Sequence, residues 1–99
     1  MTAGEARSLA LSLDGAVEQD HHGRPSFRVN GKIFATLWTD EQLKVMLPGD
    51  RIEQVVADEQ ERCEPVHWGK RLAAVRLHLP AADAAFVEAL LAEAWQRRA

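Results

Sequence analysis

A single cysteine, Cys63, is all the chain contains, so no internal disulfide can staple it and a reducing compartment is the expected setting. No apolar run approaches the roughly 18 residues of a membrane span. The first twenty residues also lack the basic start and apolar block of a secretion leader, so a cytoplasmic protein is expected. Nor is there an excess of positive charge: twelve Lys/Arg stand against fifteen Asp/Glu, a net charge of −3. That balance argues against strong non-specific DNA binding, whose affinity comes mainly from phosphate neutralisation. Internal repeats, low-complexity tracts and long linkers are missing too, as are the glycine fingerprints of Walker and dinucleotide sites.

What is present is enough for one small domain spanning residues 1–99. Hydrophobic residues make up 46% of the 99, sufficient for one two-layer core. The charge is unevenly placed. His21 to Thr39 holds Arg24, Arg28 and Lys32 without an acid, and Pro65 to Ala82 holds Lys70, Arg71 and Arg76 without an acid. Between them, Asp40 to Glu64 carries eight acids and three bases. Two basic segments flank an acidic one, which predicts a polarised surface.

The hydrophobic periodicity predicts helix, three-strand meander, helix, two strands, helix. Ala6, Leu9, Ala10 and Leu13 mark a first helix over 4–13, ended by Asp14-Gly15. Residues 18–25 are polar, contain Gly23 and Pro25, and read as a loop. Strands follow at Ser26–Asn30, Lys32–Trp38 and Gln42–Leu47, the first two joined by Asn30-Gly31, a type I′ turn pair. Asp50 and Glu53 resemble a capping box ahead of a short helix over Arg51–Asp58. Glu59 to Pro65 reads as irregular, with strands expected at Glu64–Trp68 and Arg71–Leu79. Pro80 suits the first turn of a last helix over Ala82–Arg97.

The stretch from Gly23 through Arg24-Pro25-Ser26-Phe27-Arg28-Val29-Asn30-Gly31-Lys32-Ile33-Phe34 to Ala35 resembles the N-terminal signature of the MmcQ/YjbR family of small bacterial proteins. His67-Trp68-Gly69-Lys70, then a strand and a helix ending in Glu93-Ala94-Trp95, resembles its C-terminal one. The resemblance implies an α+β fold of order α-β(3)-α-β(2)-α with an antiparallel sheet, similar to type III secretion chaperones and frataxin-like sheets. It also implies the DNA-binding label the family commonly carries, and brings no catalytic residue. Where relatives often place a Trp in the fifth strand, this chain has Leu72-Ala73-Ala74.

Strand alternation divides the sheet residues between two faces. With Phe27, Val29, Leu43, Val45, Leu47, Val75 and Leu77 facing the helices, the other face shows Arg28, Phe34, Thr36, Trp38, Lys44, Met46, Arg76 and His78. Left open, that face suits stacked bases of a single strand. Large aromatics are seldom exposed without a partner, which favours cover of Phe34 and Trp38 by the first helix or by a second chain. Arg24, Arg28, Lys32, Lys70, Arg71 and Arg76 form the candidate nucleic-acid set. Phe34, Trp38, Trp68 and His78 form the candidate face for a ligand, a protein or peptide partner, or a homodimer. A small molecule held between Trp38 and Trp68 is the third alternative. The area a Trp buries favours Trp68 as a core plug over a pocket rim. Neither Asp20-His21-His22 nor Cys63 with His67 makes a converging ligand set, so no metal or cofactor is expected. Cys63 lacks an orienting third residue near His67, and a non-enzymatic protein is expected.

Overall fold

The computed structural model describes all residues, 1–99. Its helices are α1 (Ala3–Leu11), α2 (Gly49–Asp58) and α3 (Ala84–Arg98). Its strands are β1 (Val17–His21), β2 (Arg24–Val29), β3 (Lys32–Thr39), β4 (Gln42–Val45), β5 (Cys63–Trp68) and β6 (Arg71–His78). The fold is α+β, and its elements follow the expected order with one strand added. All six strands join one antiparallel sheet in the order β1-β2-β3-β4-β6-β5. No helix is long and apolar enough to cross a membrane.

The added strand is β1, in the segment read as loop. Its sequence, Val-Glu-Gln-Asp-His, is exposed at every position, so it carries no period-two apolar signal. Backbone pairing holds it to β2, from Val17 opposite Arg28 to His21 opposite Arg24. The connection works because His22 and Gly23 both take positive φ, 54° and 82°, as a two-residue primed turn requires. The expected turn at Asn30 and Gly31 has the same geometry, with φ of 53° and 73°.

The helix starts differ in detail from the sequence pattern. Thr2 and Glu5 form a capping box on α1. The Asp50/Glu53 box does not form: α2 begins earlier, with Pro48 at its N-cap and Asp50 inside the first turn. Pro80 lies in a short 3₁₀ turn, Leu79–Ala81, and α3 is capped instead by Asp83, whose carboxylate accepts from the Phe86 amide at 2.8 Å.

The core lies between the helices and one sheet face. Phe27, Val29, Leu43, Val45, Leu47, Val75 and Leu77 all enter it, with Ala6 and Ala10 from α1, Ile52 and Val55 from α2, and Leu90 and Leu91 from α3. Each large aliphatic or aromatic side chain so buried contributes roughly 1.5–3 kcal/mol. Phe34 joins this core, contrary to the alternation. Phe27 pairs with Ala35 while Arg28 pairs with Ile33, so Phe34 is the extra residue of a β-bulge. The bulge turns its ring to the helical side, where it is fully buried. On the opposite face a smaller cluster of Met46, Val66 and Ala74, with Ile33 against it, includes no helical residue. That face is the open one.

Candidate anion-binding cavity on the sheet face

The open face carries a cavity of about 750 Å³. Five structural pieces wall it. The β1–β2 hairpin supplies His21, His22, Arg24 and Arg28; the β2–β3 turn and β3 supply Lys32, Thr36 and Trp38. Strand β4 adds Lys44 and Met46, and the β5–β6 hairpin adds Trp68 and Arg71. Arg98 arrives from the end of α3, where Asn30 Nδ2 donates to its backbone carbonyl at 3.3 Å and ties the helix end to the β2–β3 turn.

Six cationic side chains therefore line the cavity, and no carboxylate does. None of the six takes part in an ion pair, whereas Arg7, Arg51, Arg62 and Arg76 each pair with Glu or Asp. The Arg28 Nε donates only to the neutral Ser26 hydroxyl, at 3.3 Å. The Nε of Arg98 is buried without any acceptor. Such groups raise the local potential and lower the cost of bringing in an anion.

Lys44 is the extreme case. It is 8% exposed, makes no hydrogen bond or ion pair, and sits directly opposite Arg76 across the β4–β6 pair. Its ammonium lies 3.3 Å from the centre of the Trp38 ring, and the Arg24 guanidinium lies 3.7 Å from the same centre. Arg24 also donates to the Trp38 carbonyl. Contacts of this kind are worth roughly 0.5–2 kcal/mol and compensate part of the desolvation of a buried cation. Burial, then Arg76 and Arg24, hold the Lys44 pKa below its ordinary 10.5.

Four of the six bases named from sequence converge here: Arg24, Arg28, Lys32 and Arg71. Lys70 is exposed in the β5–β6 turn and does not line the cavity. Arg76 is tied to Glu64 at 2.6 Å and lies outside the lining. Of the aromatic and histidine candidates, Trp38 and Trp68 line the cavity, Phe34 is in the core, and His78 lies in a separate small groove beside Thr39 and Gln42. Trp68 is 54% exposed, so it is a rim residue and not a core plug. Trp38 is not free to stack as a bare platform, because two cations already pack on it.

Sequence reasoning left out Lys44, Arg98, His21 and His22. Strand alternation placed Lys44 on this face without marking it as a site. The two histidines are brought in by a hairpin that has no apolar signal, and Arg98 by a tertiary clip. Cys63 is buried, and its thiol donates to the Glu59 carbonyl at 3.2 Å. Burial, then the Glu59 charge, pushes the thiol pKa up, which keeps it protonated and unreactive.

The architecture defines a small α+β protein with helices on one sheet face and a basic concavity on the other. The YjbR family model matches residues 11–97, and the chain belongs to that family. No curated protein and no solved structure matches it.

Proposed function

We propose that this chain is a non-catalytic nucleic-acid-binding module that takes a single strand of DNA or RNA on its open sheet face. One observation carries the reading: half of the twelve Lys/Arg converge unpaired on a single cavity in a chain of net charge −3. Phosphates suit the free cations, and Trp68, 54% exposed with the Arg71 guanidinium 5.4 Å from its ring centre, suits a base stacked on the rest of its ring, since stacking of this kind is worth about 1–3 kcal/mol per base. No helix carries a basic stripe for the major groove. Arg97 and Arg98 are the only cations in the last turn of α3, and Arg97 donates to the Met46 carbonyl at 3.2 Å. A second reading, a small anionic aromatic compound, draws on the cavity's size, which matches ordinary small-ligand pockets.

Fluorescence titration at low salt separates the two. A single-stranded oligonucleotide of about ten residues is expected to quench Trp68 emission and bind at least tenfold more tightly than either a mononucleotide or a duplex of the same sequence. Equal affinity for mononucleotide and oligonucleotide would favour the small ligand, and absence of binding to any strand would rule the first reading out.

A further inference from the structure

Within the nucleic-acid reading, on which this rests, we infer that the cavity floor at Lys44 takes a phosphomonoester, so that the chain recognises a phosphorylated strand end ahead of interior phosphates. The first argument is access. Lys44 lines the cavity yet is only 8% exposed as a residue, so little of it is open to a ligand and a slender group reaches it more readily than a bulky one. An interior phosphodiester brings a sugar on each side, whereas a terminal phosphate brings one. A strand can lie along the rim and still fail to touch the floor.

The second argument is charge. Lys44 faces Arg76 directly across the β4–β6 pair, and Arg24 shares its Trp38 ring. Like charges placed directly opposite each other are unfavourable in a sheet. Glu64 offsets Arg76 through a 2.6 Å ion pair, but no carboxylate pairs with Lys44 or Arg24. A terminal phosphate carries close to two negative charges at neutral pH, against one for a diester, and gains correspondingly more from this field. The third argument is hydrogen bonding. Thr36 lies opposite Lys44 across the β3–β4 pair and lines the same cavity, so the wall that carries the ammonium also offers a neutral hydroxyl-bearing side chain. An interior site tuned for passing diesters would not require a buried, unpartnered lysine.

The test compares oligonucleotides of one sequence carrying a 5′-phosphate, a 3′-phosphate or neither, on wild type, Lys44→Met and Lys44→Gln. A nucleoside monophosphate and inorganic phosphate serve as probes of melting. At pH 7 one phosphorylated end is expected to bind about tenfold tighter than the unphosphorylated strand, the gain of one added charge-assisted contact. Both variants are expected to bring that ratio near one. The ratio is also expected to grow from pH 5 to pH 7, as the phosphate loses its second proton near pH ~6. His21 and His22 also line the cavity, so the pH series is run on wild type and Lys44→Met together, because the variant keeps both histidines and isolates the part of the change that depends on Lys44.

Equal wild-type affinity for phosphorylated and plain strands overturns the inference while leaving strand binding intact. So does a tenfold preference that survives in Lys44→Met. If no strand binds, but the monophosphate raises the melting temperature of wild type and not of the variants, the phosphomonoester floor stands and the strand reading falls. If no probe shifts anything, both fall.

Discussion

At the scale of single residues, the cavity trades stability for charge. Lys44 is a largely buried cation with no ion pair or side-chain hydrogen bond, and burial holds its pKa down, so keeping it charged in the fold costs free energy. Lys44→Met keeps the stem's volume, removes the charge and gives up the cation–π contact. A net gain of about 1 kcal/mol is expected, which raises the melting temperature by about 4–8 °C in a domain this size. The same variant is expected to bind anionic ligands more weakly, so stability and affinity move in opposite directions. The pH dependence has a definite sign. The Lys44 pKa is lower in the folded chain than in the unfolded one, so the unfolded chain binds more protons between the two values. Stability contributed by this site therefore rises with pH across that window and is complete above 10.5. Melting measured from pH 7 toward pH 10 should show the gap between variant and wild type narrowing. A gap that widens would mean the charge was not the cost.

Phe34 supplies a second residue-scale test, because the strand pattern and the structure assign it opposite faces. Buried in the helix-side core, Phe34→Ala is expected to cost about 3–5 kcal/mol in chemical denaturation. A loss below 1 kcal/mol would return its ring to the open face.

At the scale of elements, the β1–β2 hairpin brings His21, His22 and Arg24 to the cavity, and its turn depends on Gly23 at φ 82°. A Cβ there would meet nothing within 4 Å, so the cost of Gly23→Ala is confined to backbone strain, about 1–2 kcal/mol. Because β1 is exposed along its whole length, the strain is expected to open the hairpin locally and leave the core intact. Hydrogen exchange should show faster exchange at β1 and β2 amides with unchanged protection in β4 and β6. Uniform acceleration across the sheet would show that the hairpin is coupled to global stability.

The same hairpin marks the limit of what the amino-acid order reveals. The strands from Ser26 to Val45 and from Arg71 to His78 announce themselves because each sends apolar side chains into the helix-side core. Strand β1 has both faces in water and is held by main-chain pairing, which leaves no trace in side-chain polarity. Phe34 was misplaced because a bulge shifts the phase by one residue, and nothing in Lys-Ile-Phe-Ala announces it. The basic segment 21–39 did point to the cavity, since its three bases all line it. From the second basic segment only Arg71 arrives, because Arg76 is neutralised by Glu64 on the neighbouring strand and Lys70 projects from the turn. Pairing across strands decides which charges remain free, and that is invisible along the chain.

At the scale of the whole molecule, charge is sorted by face. Six Lys/Arg line the cavity, which leaves six others against fifteen Asp/Glu over the rest of the chain. An anionic strand is thus repelled by most of the surface and drawn to one concavity, so orientation is selected during approach. The consequence is a steep salt dependence despite the negative net charge. If four of the six cations neutralise phosphates, log K against log salt should fall with a slope of about −3 for single strands. Arg28→Glu with Arg71→Glu removes two such contacts and adds two repulsions, so the slope should flatten by about 1.4 and the affinity at 50 mM salt should fall by at least tenfold. Lys70→Glu makes the same change of charge as Arg71→Glu alone, one residue away but outside the cavity, and is expected to leave the slope unaltered. Titrations over several salt concentrations with these variants locate the interface. Were Lys70→Glu to flatten the slope as much as Arg71→Glu, the strand would be following the β5–β6 hairpin tip, and the sheet-face cavity would not be where it binds.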